Sequence, residues 1–255
     1  MLQQCRLCSE YKILINSHIV PEGFYKKIYD DKRRVYFSSE SRGTFITMQK
    51  GQREKLLCKE CDSDVIGNKY DKYGIEVIRD DLHKETYVDK EKIIWTGLDY
   101  NRLKIFLLSV LWRAHIAQNF HGGITLDEST AAIIVESIKS GQAPAESVIP
   151  IVGVVLMDPD DDNLRCDEFI TNGRVYKRPG LIHSMAYIIM FGGYAWTFIV
   201  PKSEENDRHK GFFLKEHGSM ILVKVNIHDF RPFTDLMENI EFANDNFDRL
   251  DRSTK

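Results

Sequence analysis

The clearest chemistry in the chain lies in two Cys-x-x-Cys pairs, Cys5-Arg6-Leu7-Cys8 and Cys58-Lys59-Glu60-Cys61. Each spacing forms a tight knuckle that brings two sulfurs onto one ion, and four thiolates complete the tetrahedral site that structural Zn²⁺ takes. The competing readings are two unrelated free thiol pairs and a redox dithiol. The first pair precedes a strand-like run from Tyr11 to Ile15. The second follows Lys55-Leu56-Leu57 and opens a helical pattern. Knuckle, hairpin, helix is the order of a treble clef. The 49 residues between the pairs, 9–57, exceed a minimal finger and point to an inserted hairpin. Cys166 stands alone among acidic residues and reads as an unpaired thiol.

That insertion is basic. Between Lys26 and Lys59 stand ten Lys/Arg against four Asp/Glu, a net +6. Arg33, Arg34, Arg53 and Lys55 are its candidate phosphate-contacting residues, and Phe24, Tyr25, Tyr29, Tyr36 and Phe37 are placed to stack on bases or on the core. The other reading is a solvated hairpin. The whole chain carries only −3, so a nucleic-acid surface has to be local.

Three elements in register resemble the HNH endonuclease superfamily: Cys5-x-x-Cys8, then Ser17-His18-Ile19-Val20-Pro21, then Leu56-Leu57-Cys58-x-x-Cys61. The resemblance spans about residues 5–73, under a third of the chain. It implies that His18 is a general base activating water, which imidazole does near neutral pH. It also implies a divalent metal, Mg²⁺ or Mn²⁺, that stabilises charge on the phosphoryl group. The sequence departs from the pattern in the metal-binding half. Arg53 stands where many members have Asn, and Asp62 where the family has His directly after the second pair. Asp62 can ligate a hard cation through its carboxylate or cap the helix start; Asp64 and Asn68 are further candidates by helical reach. A looser likeness, around 106–113, is to uncharacterised bacterial proteins that carry such a front module.

Positioning these residues requires a scaffold, and 255 residues with 43% hydrophobic and 29% charged side chains supply one. Such a composition excludes a disordered or fibrous chain and fits one or two globular domains. We expect a zinc-bound module at 1–75 and an α+β body at 76–255, with helices packed on a mainly antiparallel sheet. Arg33 to Ser38 and Thr44 to Gln49 read as strands. A helix begins at the second cysteine pair and runs through Asp62 to Tyr73, with Gly67 and Gly74 placed to weaken or interrupt it. A second, charged helix is expected at 75–93. The strongest helix opens at Asp99 or Asn101, where Leu103, Phe106, Leu107, Val110, Leu111, Ala114 and Ala117 recur at 3.6-residue spacing. Its other face is also largely apolar, which marks a buried central helix. A further helix covers 127–139 and stops at Gly141. Strands follow at 148–157 and 219–227, with a terminal helix near 230–248.

The apolar stretch 181–200 contains His183 and breaks at Gly192-Gly193, which is the pattern of a buried hairpin rather than a membrane helix. With no secretory signal visible at the start, the expected compartment is the reducing cytoplasm. Three lesser features have plain readings. Asp158 to Asn163 resembles the opening of a calcium loop but lacks Gly at the sixth position and Glu at the twelfth, so it reads as an exposed turn. Arg113 and His115 on the central helix read as a satisfied buried pair. Gly192-Gly193 is a turn without phosphate-loop context.

Two functions remain open on the sequence. One is a zinc-stapled HNH-like nuclease acting on DNA or RNA, whose body supplies target choice, homo-oligomer contacts or a protein-partner surface. By analogy alone, modules of this kind resemble bacterial immunity effectors in antiviral defence. The other is a non-catalytic zinc-containing subunit that binds nucleic acid or protein through a degenerate HNH site.

Overall fold

The structure is a computed structural model, and it describes residues 1–39, 44–82, 84–120, 123–161, 164–171, 173–177, 185–200, 210–235 and 237–238. The chain begins with a ribbon of β1 (Gln3–Gln4) and β2 (Tyr11–Lys12), then β3 (Leu14–His18) and the short α1 (Glu22–Tyr25). A hairpin follows, β4 (Arg34–Ser39) against β5 (Thr44–Gln49), and β6 (Arg53–Cys58) returns to pair antiparallel with β3. Residues 40–43, Arg42 among them, lie outside the described residues.

From Glu60 the chain is helical without a break to Ile78. Its first part, Glu60–Asp71, is a wide helix whose hydrogen bonds span five residues, as in Lys72 N–H to Gly67 O; its second part is α2 (Lys72–Ile78). Neither Gly67 nor Gly74 interrupts it, and Gly74 is there for a packing reason. A β-carbon at Gly74 would sit 2.3 Å from the Phe106 ring, so glycine here lets two helices approach rather than ending one.

The charged helix expected at 75–93 is a correction. Helix ends at Ile78, and β7 (Lys84–Val88) and β8 (Lys92–Thr96) form an antiparallel hairpin. The charges of 89–91 belong to its turn, where the Asp89 carboxylate accepts from the N–H groups of Glu91 and Lys92. Period-two alternation in β8, which buries Ile93 and Trp95, decides the element against its polar content.

The central helix α3 (Tyr100–Ile116) starts on Asp99, whose side chain accepts from Arg102 N–H. After it, α4 (Glu128–Ser140) is capped by Asp127 and closed by Gly141 in the left-handed conformation. Hydrogen bonds from Ser129 and Thr130 hold the Asp127 carboxyl down at about 2. The rest is strand: β9 (Ile151–Met157), β10 (Arg174–Lys177), β11 (Met185–Phe191), β12 (Tyr194–Val200) and β13 (Met220–Asn226). They form a seven-stranded sheet, β10-β11-β12-β9-β13-β8-β7, antiparallel at every step except β9 against β13. The class is thus α+β with a mainly antiparallel sheet. The β11–β12 hairpin turns at Gly192 and Gly193, at φ +64° and +81°. Its tip is packed: Ile78 and Phe24 fill the space beside Gly192, and Arg165 that beside Gly193. Helix resumes at Arg231; most of the terminal helix expected to 248 lies outside the described residues, as do His183, Asp162 and Asn163. No helix among those described is long and apolar enough to cross a membrane.

One buried cluster runs through the whole assembly, from Cys5, Leu57 and Ile66 through α3 to Trp196 and Leu222. Phe106 is a junction within it, 6.2 Å from the Phe24 ring of α1 and 6.1 Å from Phe191 of β11. Because α3 is covered on nearly all sides, two of its cations, Lys104 and Arg113, are buried too. Lys104 is 1% exposed, and its ammonium donates to Tyr100 OH and to the carbonyls of Ala145 and Val148, at 3.0, 2.7 and 2.9 Å. Burial pulls its pKa down to about 7 while Glu216 and Glu146 push back; three acceptors around the nitrogen match the three protons of the charged form.

The close approach at Gly74 is testable. Gly74→Ala gains about 1 kcal/mol of helix propensity but overpacks Phe106 at a cost of about 1–3 kcal/mol. We expect net destabilisation in urea unfolding, relieved when Phe106→Leu is added.

Candidate metal centre

The four cysteines expected to share an ion converge. The ligand atoms of Cys5, Cys8, Cys58 and Cys61 all lie within 4.8 Å of one another, and all four thiols are free. The sulfurs of a tetrahedral site with bonds of about 2.3 Å lie about 3.8 Å apart, so the cluster closes on an ion by small side-chain rotations. Backbone hydrogen bonds build the cradle. Cys5 N–H donates to Glu10 O, Ser9 N–H donates to Cys5 O, and Ser9 takes φ +63° to close the knuckle. Arg6 N–H donates to Leu56 O, tying that knuckle to β6, and Cys58 N–H points at Cys5 Sγ at 3.3 Å. Cys58 ends β6 and Cys61 sits in the first turn of the wide helix, so β1–β2 supplies one pair and the strand-to-helix corner the other. On the outside, Lys12 bridges Glu10 and Glu60.

The thiols are set for a cation. Burial raises the pKa of Cys5, but N–H groups of Cys58, Cys8 and Leu7 outweigh it and bring the thiol down to about 7. Burial, with Cys5 beside them, drives Cys58 and Cys61 upward. Of these three, Cys5 alone favours its thiolate, and a divalent ion would remove the conflict at Cys58 and Cys61. The residues fit a structural metal ion.

His18 ends β3 opposite Arg53 of β6 and is half-buried. Its ring Nε2 is 2.8 Å from Lys50 O. A carbonyl only accepts, so Nε2 carries the proton and Nδ1 is left with its lone pair. Burial lowers its pKa, Arg53 and Arg113 act in the same direction, and the Lys50 carbonyl and Glu22 oppose. The imidazole is thus neutral at pH 7. Asp62, one residue past Cys61, is half-buried. Its charge helps raise the pKa of Asp71, the larger cause there being burial. Asp64 and Asn68 are exposed.

The basic candidates separate by partner. Arg34 is engaged by Asp30, with Nε and Nη2 both 2.7 Å from Oδ2. Arg33 is exposed at φ +56°, and its carbonyl accepts from Lys50 N–H, itself at φ +60°. Arg53 is half-buried beside His18 with Nη2 on Gln49 O, and the exposed Lys55 lies two residues along the same strand face. Sequence reasoning missed Asp71. Its carboxylate receives both terminal nitrogens of Arg113, at 2.9 and 2.8 Å. Arg113 is therefore satisfied, but by Asp71 rather than as a pair with His115, whose Nδ1 accepts from Leu126 N–H. An arginine in an apolar helix signals a buried acid somewhere; which acid depends on the wide helix passing α3.

No protein-family model, curated protein or solved structure matches the chain.

Cys58→Ser should abolish tight metal uptake and lower the melting temperature, since metal binding to such sites contributes directly to folding. Because ligands must shed protons to bind, affinity should fall as pH drops from 7.5 to 5.5, measured by indicator competition. Unchanged uptake by the variant would overturn the assignment.

Proposed function

We propose that residues 1–78 are a treble-clef module of HNH type, stapled by one Zn²⁺ on Cys5, Cys8, Cys58 and Cys61, and that it is a nuclease acting on DNA or RNA. The knuckle in the β1–β2 ribbon, the β3–β6 pair and the helix that starts between the second cysteines support the layout. The observation that carries the chemistry is the His18 ring, neutral and held by Lys50 O so that the lone pair lies on Nδ1. That is what a general base requires before it meets water. Asp62 is the candidate ligand for a catalytic Mg²⁺ or Mn²⁺, which when bound would stabilise charge on the phosphate. Arg33, Arg53, Lys55 and Lys50 are the phosphate-binding cations; Arg34 serves the hairpin instead. The body supplies target choice, self-association or a partner surface. A cytoplasmic setting suits four reduced thiols, and a role in bacterial antiviral defence is the context we assign to it.

A specific observation favours a second reading, a non-catalytic zinc module that binds nucleic acid or protein. Asp71, the buried carboxylate of the wide helix, is spent on Arg113. Among the described residues the cysteines are the only cluster of three or more metal-ligating side chains.

Metal analysis should return about one zinc per chain. Purified protein with Mg²⁺ or Mn²⁺ should cleave nucleic acid, and His18→Ala should lower cleavage by about 10²–10⁴-fold while leaving zinc content and binding intact. Binding without cleavage in the wild type selects the second reading. If phosphate contact is correct, Arg33→Glu with Arg53→Glu should weaken binding and flatten the salt dependence by about two in slope. Salt-independent binding would exclude it.

A further inference from the structure

His18 belongs to a strand that could shift in the plane of its small sheet, since among the described residues β3 pairs with β6 alone and their register already slips between Ile15 and Asn16. What fixes it comes from the body. The Arg113 guanidinium lies 2% exposed in the last turns of α3 and uses all five of its N–H donors. Nε donates to Ser109 O and Nη2 to Ser109 Oγ, both at 3.2 Å, which sets the plane of the group against its own helix. Nη1 and Nη2 grip Asp71 at the end of the wide helix. Nη1 also donates to the His18 carbonyl at 3.1 Å. One rigid fork therefore fixes three things at once: α3, the helix that leaves the cysteine centre, and the main chain of His18. The ring of the same residue is held at its far side by Lys50 O.

We infer that Arg113 is a positioning residue for His18, and that through it α3 of the body governs the orientation of the imidazole. The catalytic part of this rests on the nuclease reading; the orientation does not. A salt bridge this buried is a poor stabiliser, because desolvation of the two charges offsets their attraction. Its directional content is what distinguishes it. Lysine cannot replace it, having a point charge where the site needs a planar fork. The ring is also exposed to Glu22 from α1, Arg53 from β6 and Arg113 itself, with Tyr25 alongside at 6.2 Å, so its tautomer and titration report directly on its placement. Displacement of a catalytic group by 1 Å costs about 100-fold in rate. A ligand or partner that moved α3 would act on His18 through this contact.

The test separates position from stability. Arg113→Met with Asp71→Leu replaces the pair by apolar side chains and should fold with unchanged zinc content and a melting temperature close to wild type. Nitrogen-15 NMR of the ring should show the single Nε2–H tautomer in the wild type and a mixture of tautomers with an altered titration midpoint in the double variant. If the wild type cleaves, kcat should fall by about 10- to 100-fold with KM nearly constant. If it does not cleave, the nuclease reading fails and the tautomer still decides the inference. Should the double variant not fold, Arg113→Lys and Ser109→Ala are read instead, and each should move the His18 tautomer ratio. A folded variant lacking the fork that keeps the wild-type tautomer and midpoint, with unchanged kcat where there is one, overturns the proposal.

Discussion

Burying α3 on almost every side removes water from two of its cations, and much of the architecture is the set of oxygens that replaces it. Near one end, Lys104 takes the carbonyls of Ala145 and Val148 and the hydroxyl of Tyr100. Near the other, Arg113 takes Asp71, Ser109 and the carbonyl of His18. An unanswered charge inside a protein is prohibitively costly, so the segment before β9 and the end of the wide helix have little freedom in where they lie. The hydrophobic effect packs the helix; these two cations fix which neighbours face which turn.

The cysteine cluster answers a different problem. Its two pairs are separated by a long, basic stretch, and closing such a loop carries an entropic cost that its apolar side chains offset only in part. Four sulfurs on one centre tie β2, β6 and the helix start together. Tyr70, whose hydroxyl donates to Ile138 O, and Glu54, whose carboxylate accepts from Gln118 and Asn119 N–H, then tie the same segment to the body. The module borrows the core of the body and lends it a wall.

Elements with one dominant period were legible in the sequence: α3, α4, the Gly192-Gly193 hairpin and β13 are close to where spacing puts them. The cysteine cluster was legible because ligand spacing is a local property. Reading failed where two local rules conflicted. In 84–96 charge density suggested a helix while alternation around Ile93 and Trp95 made strands, and the sheet edge decided it. Gly74 read as a weak point or a break in the helix and is a contact, which only the neighbouring Phe106 explains. The Arg113–Asp71 pair spans 42 positions in sequence, and no periodicity links residues that meet because two helices cross.

The packed tip of the β11–β12 hairpin alters what the chain can tolerate. Hairpin tips are ordinarily the places where a polypeptide accepts a cut, a tag or a new terminus. Here the turn is wedged between Ile78, Phe24 and the stem of Arg165, so peptide continuity at Gly192-Gly193 is itself part of the interior. The exposed turn at Lys90 and Glu91 has no such burden. A lineage or an engineer seeking to lengthen, split or permute this protein would find the permissive site there, at the edge of the same sheet, and the forbidden one at the loop that looks simplest in the sequence.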